Sequence, residues 1–253
     1  MTPETIAETV TQDFLISEVL EELQVADPFK ATWLGSLSND ALEEVRALSE
    51  SVSFSDQDVI YGFGQKQEYI WGIASGQVRV LVGSNEMEPA LAHVHGPGTW
   101  FGSAELFLNS PGVVEHNVAG RAELVRVPYA GFRRLSKRRP EVLVALGALC
   151  ALTLLLSMSA ANDLLLRTGR MRLAATLLRL CGRRGIHQSN VEMDKVPASQ
   201  AEISALANLS PSTASLLLKD FEARNMIELK YALTLIKNPE ALAAEAEGVM
   251  PAA

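Results

Sequence analysis

The sequence predicts an α+β fold: an N-terminal β-roll (a double-stranded jelly roll), one long helix, and a small C-terminal domain built on a helix-turn-helix. Between about residues 53 and 128, short β-branched and aromatic segments alternate with Gly, Pro, Asn and Ser, as in a barrel, sandwich or jelly roll. Residues 142–162 contain no charged side chain and would form a helix about 30 Å long. Two short apolar stripes with helical spacing follow within residues 199–229, before a short pair of strands.

The composition is that of a globular protein, and it excludes several classes. Of the 253 residues, 48% are hydrophobic and 21% are charged, which is enough apolar material for one large or two ordinary domains. A net charge of −8 argues against a basic protein that coats nucleic acid or an anionic membrane. Cys150 and Cys181 are too few for a disulfide framework, and the acidic N-terminus lacks the features of a secretory signal, so we expect a cytoplasmic protein.

Periodicity and turn residues divide the chain into five segments. An amphipathic helix capped by Ser38 is expected near the start of the β-roll, and Gly169 is expected to interrupt the helical region after the long helix. The segments, in chain order, are an N-terminal helical extension, the β-roll, the long helix, the C-terminal domain and an acidic tail in the form of a frayed helix: 1–29, 30–136, 137–168, 169–240 and 241–253.

The C-terminal domain carries the pattern of two capped helices joined by a tight turn. Ser199 is a predicted cap with Glu202 at the reciprocal third position, and Ser210 is a second cap with Pro211 in the first turn. Two such helices form helix-turn-helix geometry, in which the second helix enters the major groove of DNA. The pattern alone also fits an ordinary helical hairpin.

Particular motifs favour the first of these interpretations. The segments "SQAEI" and "SPSTASLLL" resemble the winged helix-turn-helix of the cyclic-AMP receptor protein and fumarate-nitrate regulator (CRP/FNR) family of bacterial transcription regulators. The β region is similar to the same family's cyclic-nucleotide-binding-like roll, with its glycine spacing at Gly64 and Gly76 and its Gly-Asp-x-x-Gly-Glu stretch at Gly98 and Gly102. The resemblance covers about residues 30 to 237. It implies a homodimeric DNA-binding regulator and no enzymatic activity.

The sensor pocket departs from the family pattern. In family members that bind cyclic AMP, a Glu after the second Gly binds the ribose, and an Arg about ten residues later neutralises the phosphate. Those places hold Ser103 and Val113 here, and a buried phosphate without an opposing cation is strongly disfavoured. We therefore do not expect usual cyclic-AMP binding; the pocket is either empty or takes a less charged or apolar effector. The predicted pocket residues are Gly102, Ser103, Val113, Val114 and Ser157.

The DNA-facing helix departs as well. Where the family commonly presents Arg, Glu and Arg, this chain has Pro211, Ser212 and Leu216, so base reading is weak or differently coded. The predicted DNA contacts are Ser199, Gln200, Ser210, Ser212, Thr213, Ser215, Lys219 and Arg170. An upstream basic set either faces the DNA backbone or forms a solvated helix face: Arg167, Arg170, Arg172, Arg179, Arg183 and Arg184. The alternative function is a non-catalytic sensor or adaptor with degenerate DNA binding that acts through protein contacts.

The long uncharged helix satisfies the length criterion for a membrane span, but it also carries a heptad seam. A span would place the helix-turn-helix on the far side of the membrane from DNA, so we predict a dimer helix and no membrane. The predicted seam is Leu143, Gly147, Cys150, Leu154, Ser157, Ala161 and Leu164. Dimer symmetry implies a pseudo-palindromic operator, and the resemblance adds RNA polymerase as an expected partner.

Neither a metal nor a cofactor is predicted. His93 and His95 alternate along one strand and share a face, whereas His116 is expected elsewhere, and neither a cysteine nor a carboxylate motif supports them as ligands. The family's iron–sulfur version uses an N-terminal cysteine cluster, which this sequence does not have. The glycine turns lack the Lys-Ser or Lys-Thr of a phosphate loop.

Overall fold

A computed structural model gives the fold and describes residues 26–83, 89–108, 110–166, 168–185, 194–196, 198–230 and 233–248. The predicted N-terminal helical extension lies outside these residues up to residue 25. Two 3-10 turns, Pro28–Lys30 and Thr32–Ser36, then precede helix α1, Asn39–Ala47. The Ser38 side chain accepts a hydrogen bond from the Ala41 N–H, which confirms the predicted cap.

An antiparallel sheet of six strands forms the roll, with the order β1-β6-β3-β4, while β2 pairs with β6 and β5 pairs with β3. The strands are Glu50–Phe54, Val59–Tyr61, Tyr69–Val82, Ala90–His95, Trp100–Phe101 and Val114–Pro128 for β1 to β6. A short helix, α2 (Ser103–Leu108), lies between β5 and β6. These elements confirm the predicted β-roll.

Two of these strands, β3 and β6, are longer than the sequence pattern suggests. The apolar segments on either side of Gly76 belong to one strand, and the register shifts between Ile73 and Gln77. Gly76 has a φ of +81°, and a Cβ there would lie 2.2 Å from the Arg121 carbonyl oxygen. The glycine therefore allows a bulge and a close approach of two strands at this point.

Aromatic side chains close the end of the roll that faces the N-terminal turns. Trp100 is fully buried, its indole N–H donates to the Pro28 carbonyl oxygen at 2.7 Å, and its ring meets Trp33 edge-on at 5.4 Å between centroids. Edge-to-face contacts between buried aromatic rings stabilise a fold beyond the free energy gained by burying their apolar surface. They place the N-terminal turns between the roll and the long helix.

Helices α3 (Tyr129–Arg138) and α4 (Glu141–Leu166) follow the roll. The long helix starts after Pro140, a few residues later than predicted. One face of α4 covers the roll through the buried side chains of Val142, Leu146 and Leu149, whereas much of the rest is exposed. Among the described residues, α4 is also the one helix long and apolar enough to cross a membrane, judged by length and composition alone.

The C-terminal domain contains four helices and a three-stranded sheet of order β7-β9-β8 within the described residues. The elements are α5 Gly169–Leu180, β7 Lys195–Val196, α6 Gln200–Leu206, α7 Pro211–Ala223, β8 Ile227–Lys230, β9 Leu233–Ile236 and α8 Pro239–Glu247. The break at Gly169 and the short strand pair are confirmed. The strand pair β8–β9 forms the wing.

The predicted frayed tail is wrong as far as Glu247. Helix α8 is capped by the Asn238 side chain, and Leu242 and Ala246, four residues apart, are fully buried in the core that α5 and α6 also supply. The segment is rich in small and acidic residues, which is typical of a solvated chain end. The spacing of its apolar residues nevertheless gives it one face that packs against the domain core.

Candidate functional site

The second helix of the helix-turn-helix, α7, presents one polar face to solvent. Ala214, Leu218 and Phe221 are buried in the domain core, so the opposite face, with Ser212 and Lys219, is exposed. Leu216 lies on that same outward face and is 72% exposed. This arrangement matches the helix that enters the major groove in helix-turn-helix proteins.

Both helices have the predicted caps. The Ser199 hydroxyl accepts from the Glu202 N–H at 3.2 Å, and the Glu202 carboxylate accepts from the Ser199 N–H at 2.8 Å. The Ser210 hydroxyl accepts from the Thr213 N–H at 3.2 Å. Ser199 is thus engaged in its own cap, whereas Gln200 is exposed.

A cluster of hydroxyl groups lies at the exposed N-terminus of α7. The Ser210 hydroxyl lies 2.8 Å from the Thr213 hydroxyl and 3.1 Å from that of Ser212. Ser215 is half-buried one turn further along. Hydroxyl groups at a helix N-terminus are suited to contacts with phosphate oxygens.

The acidic residues of α7 are held by other elements. The Glu222 carboxylate accepts from the Leu229 N–H of β8 at 2.8 Å, and Asp220 pairs with Arg170 at 2.7 Å. The pair with Arg170 offsets the charge of Asp220, and the hydrogen bond from Leu229 holds the Glu222 carboxylate in place without neutralising it.

Arg170, one of the predicted DNA contacts, has ion-pair partners within the C-terminal domain. Its guanidinium binds Glu245 and Asp220 and stacks over the Phe221 ring, 4.8 Å from the centroid. The hydrogen bond with Glu245 raises the pKa of Arg170 and correspondingly lowers the pKa of Glu245. Arg170 therefore fastens α5 to α7 and α8, and its charge is already balanced within the domain.

The other described members of the upstream basic set also have partners within the chain. Arg172 donates to the Ala207 carbonyl oxygen at 2.9 Å, at the C-terminus of α6. Arg183 pairs with Asp194 at 2.6 Å. Arg167 lies outside the described residues. In the sequence, these arginines are interspersed with apolar residues, and that spacing does not reveal which of them pair with acidic side chains elsewhere in the chain.

Two of those arginines converge on one buried carboxylate. Asp163, near the end of α4, is 1% exposed, and its oxygens lie 3.5 Å from Arg179 and 3.1 Å from Arg184. Burial lowers the pKa of Arg179, which the nearby Asp163 carboxylate partly offsets. The Arg179 guanidinium also lies 3.3 Å from Nδ1 of His93 on β4. This cluster joins the long helix, the roll and the C-terminal domain.

A second contact joins the roll to the helix-turn-helix. Arg79 of β3 lies 2.5 Å from Oε1 of Glu202, the same carboxylate that closes the cap of α6. Burial pushes the pKa of Glu202 upward, but the hydrogen bonds from Arg79 and from the Ser199 N–H prevail and lower it. Glu202 is therefore an ionised link between two domains.

The interior of the roll is filled by stacked rings. His116 stacks on Phe101 with centroids 4.4 Å apart, meets the Tyr61 ring at a tilt with centroids 4.5 Å apart, and lies 6.0 Å from His95. Burial lowers the pKa of His95 to about 4 and also lowers that of His116, so both rings are neutral near pH 7. Their Nδ1 atoms have no hydrogen-bond partner within the described residues.

The expected separation of the histidines is therefore wrong. Strand β3 pairs with both β4 and β6: Val80 lies opposite both His93 and His116, whereas His95 lies opposite Val78, and the His95 ring stacks on that of His116 at 6.0 Å. The described residues contain no group of three or more side chains arranged to hold a metal ion. Alternation in "HVH" was the signal that could have placed His95 inside the roll.

The five predicted pocket residues are not brought together. Gly102, with a φ of +87°, leads to Ser103, which is buried and accepts a hydrogen bond from the Cys150 thiol at 3.3 Å. Val114 packs against the interior cluster, but Val113 points outward and is 75% exposed. Ser157 is exposed and donates to the Thr153 carbonyl oxygen of its own helix. Val113 lies in the bend just before β6, outside the strand pairing that holds Val114 against the interior.

The predicted dimer seam on α4 is exposed, with one exception. Leu143 is 52% exposed and Leu154 60%, whereas Cys150 is half-buried and directed toward Ser103 of the roll. The seam positions that are exposed in the single chain are Leu143, Gly147, Leu154, Ser157, Ala161 and Leu164.

A β-roll joined by a long helix to a winged helix-turn-helix defines a class of protein: transcription regulators that carry a cyclic-nucleotide-binding-like domain and a DNA-binding domain in the same chain. Two family models match in that order, the cyclic nucleotide-binding domain over residues 51–139 and the Crp-like helix-turn-helix domain over residues 171–245. The chain belongs to the CRP/FNR family of transcription regulators. Its relatives are regulators and not enzymes.

Individual relatives are distant but cover most of the chain. The cAMP-activated global transcriptional regulator Vfr of Pseudomonas aeruginosa is 26% identical over 176 residues, which are 68% of this chain and 81% of that protein. The CRP-like cAMP-activated global transcriptional regulator of Mycobacterium tuberculosis is 25% identical over 197 residues, 78% of this chain and 88% of that protein. The structure of FixK2 from Bradyrhizobium japonicum matches with a TM-score of 0.66 at 17% identity, covering 81% of this chain and 99% of that one.

Proposed function

We propose that the chain is a homodimeric regulator that inserts α7 of each protomer into the major groove of a pseudo-palindromic operator. The observation that carries the proposal is the outward face of α7, where hydroxyl groups and Lys219 are exposed while Asp220 and Glu222 are held by other elements. Two such helices related by a two-fold axis read half-sites about 34–36 Å apart, one turn of DNA. The proposed DNA contacts are Gln200, Ser210, Ser212, Thr213, Ser215 and Lys219.

The exposed seam of α4 supports the dimer. The apolar side chains of the seam lie on the face of α4 that does not cover the roll. The α4 helix of a second copy has the same length and the same apolar surface, so it is the partner that fits this face. The Asp163 cluster supports the absence of a membrane, because it pairs two arginines of the C-terminal domain, one of them buried, with a carboxylate near the end of α4. We accordingly place the protein in the cytoplasm, where it meets DNA and RNA polymerase.

Lys219→Ala is expected to weaken operator binding and to reduce the salt dependence of the affinity by about one counterion per half-site, because Lys219 supplies positive charge on the groove-facing surface. The measurement is a titration of the intact protein, by fluorescence anisotropy, against sequences selected from genomic fragments at several salt concentrations. Lys237→Ala is the matched control, since Lys237 pairs with Glu228 at 2.7 Å and its loss should leave the slope unchanged.

The same assay tests the second candidate function, an adaptor that acts through protein contacts. That function is favoured by the commitment of Arg170, Arg172, Arg183 and Arg184 to partners within the chain. If no fragment is preferred over bulk DNA at near-physiological salt, the operator proposal is abandoned in favour of the adaptor.

For the sensor, we infer that the roll does not bind cyclic AMP in the usual way. Ser103 stands where a carboxylate would bind the ribose, and Phe101, His95 and His116 occupy the interior with uncharged rings. An effector of this roll is therefore a small-molecule ligand of low charge, if the rings admit one, since a phosphate would lack a cation.

Calorimetry with cyclic AMP is expected to show no saturable heat up to about millimolar ligand, and the midpoint of thermal unfolding should stay constant, because a ligand that binds only the folded state must raise it. A control titration with magnesium chloride alone fixes the background. Saturable binding with a micromolar dissociation constant would contradict the inference.

A further inference from the structure

We propose that Leu216 reads thymine in the operator through contact with the C5-methyl group. The inference rests on the proposed function and adds to it the identity of a base. Leu216 is 72% exposed and is the one large hydrophobic side chain that is exposed within the described part of the C-terminal domain. Every other large apolar side chain described there is at least partly covered, so its exposure is specific to this position.

The position of Leu216 on α7 is that of a base contact. Ser212 lies one turn before it and Lys219 one turn after, and all three point away from the buried Leu218 and Phe221. When the second helix of a helix-turn-helix lies in the major groove, the centre of this face meets the edges of the bases, while its flanks meet the backbone.

The chemistry of leucine selects the base. All four bases present hydrogen-bonding groups to the major groove, and an aliphatic side chain that covers those of guanine, cytosine or adenine leaves them without partners and gains no methyl contact in return. Thymine alone presents a methyl group there. Leu216 therefore favours thymine by apolar contact and rejects the other bases by loss of their hydrogen bonds to water. The Ser212 hydroxyl, which both donates and accepts, is compatible with any base at the neighbouring step.

Deoxyuridine provides a direct test, because it differs from thymidine only by the missing methyl group. The operator is first selected from random duplexes with the intact protein, and each thymine of a half-site is then replaced in turn. We expect one thymine per half-site at which the replacement weakens binding by the native protein about five- to tenfold. The same replacement should change the affinity of Leu216→Ala less than about twofold.

Two controls separate this contact from general effects. Leu216→Ala should unfold at the same temperature as the native protein, because the side chain is mostly exposed. Lys219→Ala should bind more weakly overall but keep the full sensitivity to deoxyuridine, since it removes a different contact on the same face.

The outcomes distinguish this inference from the proposed function. If the protein selects an operator, but deoxyuridine weakens binding equally with and without the Leu216 side chain, the proposed function stands and the thymine contact is overturned. The same conclusion follows if the selected half-site contains no thymine. Failure to select any sequence overturns both.

Discussion

Replacing Asp163 with alanine is expected to lower the free energy of unfolding by about 3–5 kcal/mol, because it leaves a buried guanidinium without its counter-charge. Asp163 is 1% exposed and Arg179 2%, and the two lie 3.5 Å apart. Arg184 loses its partner at the same time. Chemical denaturation of the native and variant proteins, monitored by circular dichroism, measures the difference.

Two further variants make this result interpretable. Asp220→Ala removes a carboxylate from an exposed pair with Arg170 and should cost less than about 1 kcal/mol. The double substitution Asp163→Ala with Arg179→Met removes both buried charges and should recover much of the lost stability, since methionine fills the space of the arginine stem without a charge. If Asp163→Ala were as mild as Asp220→Ala, water would have to reach Arg179 and the cluster would not be buried in solution.

In the proposed dimer, Leu154→Glu is expected to separate the protomers into monomers and to weaken operator binding at least about a hundredfold. Leu154 is 60% exposed in the single chain and occupies a seam position on α4, so the substitution places a carboxylate from each protomer in the apolar interface. A monomer engages one half-site and loses the gain in effective concentration that the linked second helix provides. Sedimentation equilibrium measures the mass, and anisotropy with the selected operator measures the affinity.

Val59→Glu is the matched control for this variant. Val59 is 50% exposed on strand β2 of the roll, away from α4, so the same change of chemistry should leave both the mass and the affinity unaltered. A monomeric native protein, or a Leu154→Glu variant that remains dimeric, would remove the seam from the proposed interface.

What the sequence predicted well depends on neighbours along the chain. The caps at Ser38, Ser199 and Ser210 were predictable because a capping side chain bonds to an N–H three residues away. The order of roll, long helix and winged domain followed from changes in periodicity, which are also local properties. The outward face of α7 followed from the spacing of its buried residues.

The features that the sequence predicted poorly depend on strand register and on partners that are distant along the chain. Val113 lies in the bend just before β6 and Val114 is the first residue of that strand, so the point where the strand begins, and its pairing with β3, decides which of them packs against the interior. The ring stack of His95 and His116 joins strands that are not consecutive. The acidic partners of Arg170 and Arg179 lie 75 and 16 residues away in the chain, so no local pattern shows that these charges are balanced.

The shared carboxylate of Glu202 has a consequence for how a signal reaches DNA. One of its oxygens receives Arg79 from the roll while the other accepts the N–H of Ser199, so the start of α6 carries a negative charge that the roll neutralises. The first helix of such a motif crosses the DNA backbone. A displacement of the roll that withdraws Arg79 changes the electrostatic potential that an approaching phosphate meets, even when α7 keeps its place. Under the proposed function, we therefore expect the roll to tune the strength of attachment to DNA through charge alone, with no rotation of the reading helix.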